Sequence, residues 1–354
     1  MTKKILISTG GSGGHVIPAI IIHNHLKNAH EILITTDLRG FAYLDQNYKA
    51  VVIDTPKLNN YLLLPFSFIK ILFLTIKSFF LLKKKNISIL ISTGGYMSLP
   101  LCLAAKILKI KIFLIEPNMV LGRANKFFIN FSSKLICYSK NIINLPSGIN
   151  QKLITIKPLI RKEYYKTNTY PNKDNIFTII VIGGSQGAKI FDELLNNSFA
   201  SIAKKFSLKI IHQTSEKNIN RLQDFYNQNN IESTVFSFNH NLSEILKQAD
   251  LCITRAGASS LAELSFLNIP FIAIPLPSSK DNHQYENAKY YEEKDCCWII
   301  DQKSFDEKKF GKFLIQLVNK NEAYMAKKNN LQKLNYQNTW NSVNQKILKI
   351  INEN

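Results

Sequence analysis

The side chains best suited to ligand chemistry crowd a late stretch of the chain, ITRAGASSLAELSFLNIPFIAIPLPSSKDNHQYENA, from Ile253 to Ala288. The apolar run Leu251-Cys252-Ile253 breaks into Arg255-Ala256-Gly257-Ala258-Ser259-Ser260, after which Leu261-Ala262-Glu263-Leu264 has the pattern of a helix start. The first N–H groups of a helix lack intrahelical acceptors and carry partial positive charge, so this joint suits a phosphate or a sugar hydroxyl. A second apolar run, Pro270 to Pro275, ends in the polar loop KDNHQYENA at 280–288. Two strand-to-helix joints so rich in polar groups describe a ligand-binding rim, although either alone reads equally as an ordinary connection.

A second concentration lies near the start. Gly10-Gly11-Ser12-Gly13-Gly14-His15 offers bare backbone N–H groups that can approach a diphosphate or a hydroxyl closely. Gly11 and Gly13 fit the first two glycines of the dinucleotide fingerprint, but Val16 stands at the third, and Asp37 sits about where a ribose-binding acid would. An oxidoreductase using NAD is therefore a rival. His15 is a candidate general base because an imidazole titrates near neutrality; a capping or structural histidine is the alternative. Polar residues also follow the apolar run at 112–115, as Glu116-Pro117-Asn118 and Gly122-Arg123-Ala124-Asn125. Strand C-termini are where α/β folds bind ligands. Arg161, after Pro158-Leu159-Ile160, could reach a phosphate, though spacing alone fits a surface arginine as well.

The elements that must carry these groups show as a repeated theme. ILISTGG occurs at 5–11 and again at 89–95, and IIVIGGSQGA at 179–188 begins the second half. Continuous β-branched runs bounded by glycine predict buried parallel strands with helices between them. The polar segment from Lys162 to Asn175 reads as a linker. The predicted fold class is α/β: two Rossmann-like domains facing a central cleft, the GT-B architecture of nucleotide-sugar transferases. The domains run over 1–162 and 163–354, with the last helix, about 338–354, expected to pack back on the first.

With 354 residues, 45% hydrophobic and 20% charged, the chain has globular composition and length for two cores. Its 45 Lys and Arg against 25 Asp and Glu give a net charge of +20, which favours anionic partners: nucleic acid, acidic lipid or a phosphorylated substrate. A lysine-rich proteome accounts for that excess equally well. Cys102, Cys137, Cys252, Cys296 and Cys297 lack metal-ligand spacing and read as reduced core thiols. The apolar run after Lys3-Lys4 is too short for a signal peptide, so export is not expected. Residues 59–86 (NNYLLLPFSFIKILFLTIKSFFLLKKKN) are the most apolar stretch and have spanning length, but Pro65, Lys70 and Lys77 argue against a membrane span. Lys70, Lys77 and Lys84 share one helical stripe, and the surrounding Phe and Leu exceed what one buried face needs. An interfacial element on anionic lipid fits, and a core helix is the alternative.

Seven segments together resemble the MurG family of peptidoglycan glycosyltransferases: GGSGGHVIPA (10–19), STGGYMSLP (92–100), EPNMVLGRAN (116–125), KPLIR (157–161), GGSQGA (183–188), RAGASSLAE (255–263) and KDNHQYENA (280–288). The resemblance covers essentially the whole length. It implies transfer of N-acetylglucosamine from UDP-N-acetylglucosamine to the C4 hydroxyl of the muramoyl sugar of undecaprenyl-pyrophosphoryl-N-acetylmuramoyl-pentapeptide (lipid I). The product would be lipid II, formed with inversion to a β-1,4 linkage at the cytoplasmic face of the cell membrane. The partners it implies are UDP-N-acetylglucosamine, lipid I, an anionic membrane surface met by residues 61–85, and cell-wall synthesis proteins, but no nucleic acid. Position by position, Ser12, Gly13, Gly14, Asn118, Arg161, Ser185, Ala258, Ser259, Ser260, Leu261, Ala262, Glu263 and Gln284 match the family's UDP-N-acetylglucosamine contacts, and Asn239 stands at a further contact position with a different side chain. Glu263 would accept from the ribose hydroxyls, Ser185 would meet the diphosphate, Gln284 would read sugar hydroxyls, and Arg161 would approach the nucleotide. His15 and Glu116 are the candidates for proton removal on the acceptor side. With no Asp-x-Asp pair, no obligatory metal and no cofactor are expected. The chain departs from the family at Asn239-His240-Asn241, at His283 in place of a common Gln, and at Pro117, which stiffens its loop. Two rivals beside the oxidoreductase are a UDP-N-acetylglucosamine epimerase, which should not need the apolar-basic stretch, and a sugar-nucleotide-binding scaffold without turnover.

Overall fold

The structure, a computed structural model, describes residues 2–45, 48–56, 64–166, 176–183, 189–239 and 241–353. The chain divides into two compact units, Met1–Arg161 with Thr339–Asn354, and Lys162–Asn338. The linker expected over 162–175 therefore begins the second unit, and its residues 167–175 lie outside the described residues.

The first unit has strands β1 (Lys4–Ser8), β2 (Glu31–Thr36), β3 (Ala50–Val52), β4 (Ile89–Ser92), β5 (Lys111–Glu116), β6 (Lys134–Cys137) and β7 (Leu153–Thr155). Helices α1 (Gly13–Leu26), α2 (Leu38–Phe41), α3 (Leu64–Lys84), α4 (Leu99–Ile107) and α5 (Arg123–Phe128) connect them. The sheet order is β3-β2-β1-β4-β5-β6-β7, all parallel. The two copies of Ile-Leu-Ile-Ser become neighbours in register, Ile5 beside Ile89 through Ser8 beside Ser92. Both are buried on each face, which is why they read as unbroken apolar runs. Strand order reverses between them, so the repeated Thr-Gly-Gly turns emerge at the switch point of the sheet, where open α/β sheets bind ligands.

The second unit repeats the plan with β8 (Phe177–Ile182), β9 (Leu208–Gln213), β10 (Glu232–Phe236), β11 (Leu251–Thr254), β12 (Phe271–Ala273) and β13 (Cys297–Ile299), in the order β10-β9-β8-β11-β12-β13. Its helices are α6 (Phe191–Leu194), α7 (Asn196–Ala203), α8 (Ile219–Gln228), α9 (Leu242–Leu246), α10 (Ala258–Phe266), α11 (His283–Glu292), α12 (Glu307–Val318) and α13 (Glu322–Leu334). Here the order reverses between β8 and β11, the strand that opens the polar-rich stretch at 253–288.

The last helix, α14 (Trp340–Glu353), returns to the first unit. Its Val343, Ile347, Ile350 and Ile351 form one buried stripe. It docks on α1: His25 stacks on Trp340 with centroids 3.7 Å apart, and His25 Nδ1 lies 3.2 Å from Asn344 Oδ1. Burial lowers the His25 pKa to about 4, only partly offset by that hydrogen bond, so the imidazole is neutral at physiological pH.

Helix α3 is inverted relative to an ordinary surface helix. Ser67, Ile71, Leu74, Thr75, Ser78 and Leu82 are buried, and α4 is a packing neighbour. Phe66, Phe68, Ile69, Leu72, Phe73, Ile76 and Phe80 are exposed, with Phe66 at 71% and Phe73 at 66%. Lys70 and Lys77 lie among them and Lys83, Lys84 and Lys85 at the C-terminal end, all exposed. The helix is long and apolar enough to cross a membrane, and a third of its span is buried against protein. Residues 61–63 lie outside the described residues.

Candidate active site

At the switch point of the first unit the glycine-rich turn is held by Asp37, the acid at the end of β2. Its Oδ1 accepts the Gly11 N–H at 2.7 Å and the Gly40 N–H at 2.8 Å, and Arg39 donates to Oδ2 at 3.2 Å. Burial alone would raise the Asp37 pKa, but these two N–H groups and the Arg39 guanidinium hold it below the usual aspartate range. Arg39 also bonds the Tyr96 hydroxyl, tying the turns after β2 and β4 together. Gly11 has φ +81°, and a Cβ on Gly40 would stand 2.6 Å from Gly10 Cα, so neither position tolerates a side chain. Asp37 is therefore spent on the loop itself and does not take the ribose-binding role that its spacing suggested. That removes one support of the oxidoreductase alternative.

Ser12 precedes α1 in extended conformation, and its carbonyl accepts the N–H groups of His15 and Val16. Gly13 is buried and Gly14 exposed within the first turn. The half-buried His15 ring points Nδ1 at the Thr93 carbonyl, 2.8 Å away. A carbonyl only accepts, so Nδ1 carries a proton there and Nε2 is the ring nitrogen left to a ligand. The second turn of the repeat thus sets the tautomer of the histidine that follows the first.

Glu116, at the end of β5, is 3% exposed. Its Oε1 accepts the Asn118 N–H at 3.2 Å and the Asn118 amide at 3.1 Å. Its Oε2 accepts the Gly122 N–H at 2.8 Å and the Asn125 amide at 3.0 Å. Four donors occupy the four lone-pair sites of a carboxylate, which suits a loop organiser better than a proton acceptor. Arg161 is half-buried at the last position of the unit's first segment.

In the second unit α10 springs from the end of β11 through Arg255-Ala256-Gly257. Gly257 is the extended N-cap, and the Leu261 N–H to Gly257 O bond of 3.0 Å is the first full turn. Helix geometry leaves the N–H groups before it without intrahelical acceptors. Ala258, Ser259 and Ser260 are partly exposed there, whereas Leu261 and Ala262 are buried with their side chains in the core. Those last two positions hold the helix and offer no side chain to a ligand. Glu263 is 4% exposed, and its Oε2 accepts the Tyr164 hydroxyl at 3.0 Å.

Helix α11 grips this turn. Gln284 Oε1 accepts the Ala256 N–H at 3.2 Å and the Leu276 N–H at 2.9 Å, while the Asn287 amide donates to Ala256 O at 3.1 Å. Both ends of the Ala256 residue are thereby fixed by one helix. The buried Arg255 guanidinium donates to Ile274 O at 2.9 Å, to Pro275 O at 3.2 Å and to Gln302 Oε1 at 2.8 Å, holding the turn after β12. Ahead of α11, Asp281 and Asn282 have φ of +51° and +54°, a left-handed pair that redirects the chain into the helix. His283 Nδ1 lies 2.8 Å from Lys280 O. Exposed Asn239 uses Oδ1 to accept the Asn241 N–H at 2.7 Å, an Asx turn, so its departure from the family pattern shapes backbone. Ser185 and His240 lie outside the described residues. Among the described residues no group of three or more His, Cys, Asp and Glu is arranged to hold a metal.

Two family models match the chain. Residues 5–136 match the glycosyltransferase family 28 N-terminal domain and residues 178–341 its C-terminal domain. A curated relative from Pelagibacter ubique (strain HTCC1062), named UDP-N-acetylglucosamine–N-acetylmuramyl-(pentapeptide) pyrophosphoryl-undecaprenol N-acetylglucosamine transferase, is 48% identical, covering 100% of both chains. Among solved structures, Acinetobacter baumannii MurG superposes with a TM-score of 0.76 at 23% identity, over 99% of this chain and 100% of that one. The UDP-GlcNAc 2-epimerase from Neisseria meningitidis, bound to UDP-GlcNAc, superposes at 0.69 with 14% identity, over 99% and 100%. At such identities the two structures share the fold alone, and the full-length relative decides the family. The chain belongs to glycosyltransferase family 28, in the MurG branch of N-acetylglucosamine transferases.

Proposed function

We propose that this protein transfers N-acetylglucosamine from UDP-N-acetylglucosamine to the C4 hydroxyl of the muramoyl sugar of undecaprenyl-pyrophosphoryl-N-acetylmuramoyl-pentapeptide, with inversion at the anomeric carbon. The observation that carries this is the 48% identity to a transferase so named over the full length of both chains. The fold would serve an epimerase equally, but an epimerase has no use for a lipid-facing helix.

In this reaction the C4 hydroxyl attacks the anomeric carbon and loses its proton as the C1–O bond to UDP breaks. His15 is the proton acceptor: its Nδ1–H is committed to Thr93 O, which leaves Nε2 to the hydroxyl. Glu116 holds the loop carrying Asn118 in shape beside it. UDP leaves with charge growing on its diphosphate, and the N–H groups of Ala258, Ser259 and Ser260 at the head of α10 stabilise that charge, with Ser185 as a further donor. Glu263 would accept from the ribose hydroxyls, and backbone groups at Asn239 would read the uracil. The Gln284 carbonyl is engaged with Ala256 and Leu276, so its amide hydrogens are the part that meets the sugar hydroxyls.

Helix α3 supports membrane attachment. Seven large apolar side chains face outward, while Ser67, Thr75 and Ser78 face the protein with Ile71, Leu74 and Leu82, and the exposed lysines of the helix would suit anionic lipid head groups. The enzyme would sit peripherally on the cytoplasmic face, where a lipid-linked acceptor is within reach.

The test is transfer of radiolabelled N-acetylglucosamine from its UDP donor to a lipid I analogue in the presence of EDTA. Transfer to a product of β-1,4 linkage is expected. UDP binding without transfer would contradict the proposal, and conversion of the donor sugar in the absence of acceptor would point to an epimerase.

A further inference from the structure

Tyr164 belongs to the single 3-10 turn Lys162–Tyr165 that opens the second unit, and its ring is 2% exposed. Its hydroxyl reaches Glu263, a residue 99 positions away in sequence, in a buried hydrogen bond of 3.0 Å. Next to it, Tyr165 packs its ring on Phe266 with centroids 4.6 Å apart, one turn of α10 beyond Glu263. The segment is thus pinned to α10 at two successive turns. A buried phenol needs an acceptor and a buried carboxylate needs donors, and here each provides one for the other.

Glutamate has three side-chain torsions, and an unanchored carboxylate would sample several orientations from the same helical position. A carboxylate that accepts from two neighbouring hydroxyls must hold one plane, because preorganised acceptors lose less entropy on binding. A phenylalanine at 164 would fill the same space without fixing that plane. We propose that Tyr164 is a positioning residue for nucleotide recognition, orienting the Glu263 carboxylate toward the ribose hydroxyls of the UDP donor. This rests on Glu263 being the ribose acceptor.

The test compares UDP with 2′,3′-dideoxy-UDP by titration calorimetry on the full chain, for the parent, Tyr164→Phe, Glu263→Ala and the double variant, with steady-state kinetics alongside. The parent is expected to prefer UDP, and Glu263→Ala to lose that preference. Tyr164→Phe should remain folded with a lowered melting midpoint, because a buried carboxylate loses a donor, and should cut the preference by about three- to tenfold, raising KM for the donor by a similar factor while kcat changes by less than about twofold. The double variant should lose no more than Glu263→Ala, since both changes act through one carboxylate. A Glu263→Ala protein that still preferred UDP would overturn the ribose assignment itself. Loss in Glu263→Ala with full preference in Tyr164→Phe, or additive losses in the double variant, would overturn the positioning role alone.

Discussion

In the first unit the ligand-facing turns hang on carboxylates: Asp37 takes the N–H groups of Gly11 and Gly40, and Glu116 those of Asn118 and Gly122. In the second, the corresponding turns hang on amides and a guanidinium: Gln284 and Asn287 hold Ala256, and Arg255 holds Ile274 and Pro275. The sheets share one plan, with glycine-bearing turns at a switch point, so the difference lies in the anchors alone. An ionised acceptor makes the stronger bond to a backbone N–H but depends on its proton state. An amide makes weaker bonds that pH does not touch. The Asp37 turn of the first unit is therefore acid-sensitive, whereas the turns after β11 and β12 in the second rest on neutral amides and a permanently charged arginine; a buried carboxylate of that unit, Asp192, serves the turn after β9 instead.

The comparison can be broken most directly by removing one anchor from each side. Asp37→Ala leaves two backbone N–H groups without their charged acceptor and should cost about 3 kcal/mol of stability in urea unfolding. Asp37→Asn, which keeps one acceptor oxygen, should cost less. In the parent, the stability supplied by this carboxylate is complete above the ordinary aspartate value of 3.8 and is lost as the pH falls further, because the folded group holds its charge to lower pH.

Acid should act on the first unit by a second route of comparable size. His25 titrates at about 4 in the folded protein against 6.5 when free, so between those values the unfolded chain binds more protons and stability falls as pH falls. The stack on Trp340 makes this visible: in a Trp298→Phe background, Trp340 fluorescence should report loosening of α14 across that window, and His25→Phe should abolish the response. Gln284→Ala is the smallest effect. It removes neutral bonds to Ala256 and Leu276 and should cost about 1 kcal/mol of stability, with no dependence on pH.

How much of this was legible in the sequence follows from how local each cause is. The repeat ILISTGG announced buried strands because burial on both faces forces an unbroken apolar run, and the adjacency of its two copies follows from the parallel order. The excess of Phe and Leu between 61 and 85 marked a helix with too much apolar surface for one core. Which face packs inward, with Ser67, Thr75 and Ser78 against protein, depends on partners that no local pattern encodes. Asp37 was misread because its spacing after the glycine loop is the same for a ribose ligand and for a loop anchor; the close approach of Gly40 to Gly10 decides, and that is tertiary. Leu261 and Ala262 sit in a segment rich in ligand-suited residues, but helical periodicity turns them to the core. Tyr164 carried no signal, since its partner is 99 residues away.

The central claim is a division of labour between two residues: Glu263 holds the donor's nucleotide and His15 removes the acceptor's proton. Calorimetric UDP affinity measured beside turnover on His15→Ala and Glu263→Ala tests it most directly. The account predicts that His15→Ala binds UDP like the parent while kcat falls by about 10²- to 10⁴-fold, and that Glu263→Ala weakens UDP binding by about tenfold or more. A His15→Ala protein that lost UDP affinity as steeply as Glu263→Ala, or that turned over at the parental rate, would contradict it.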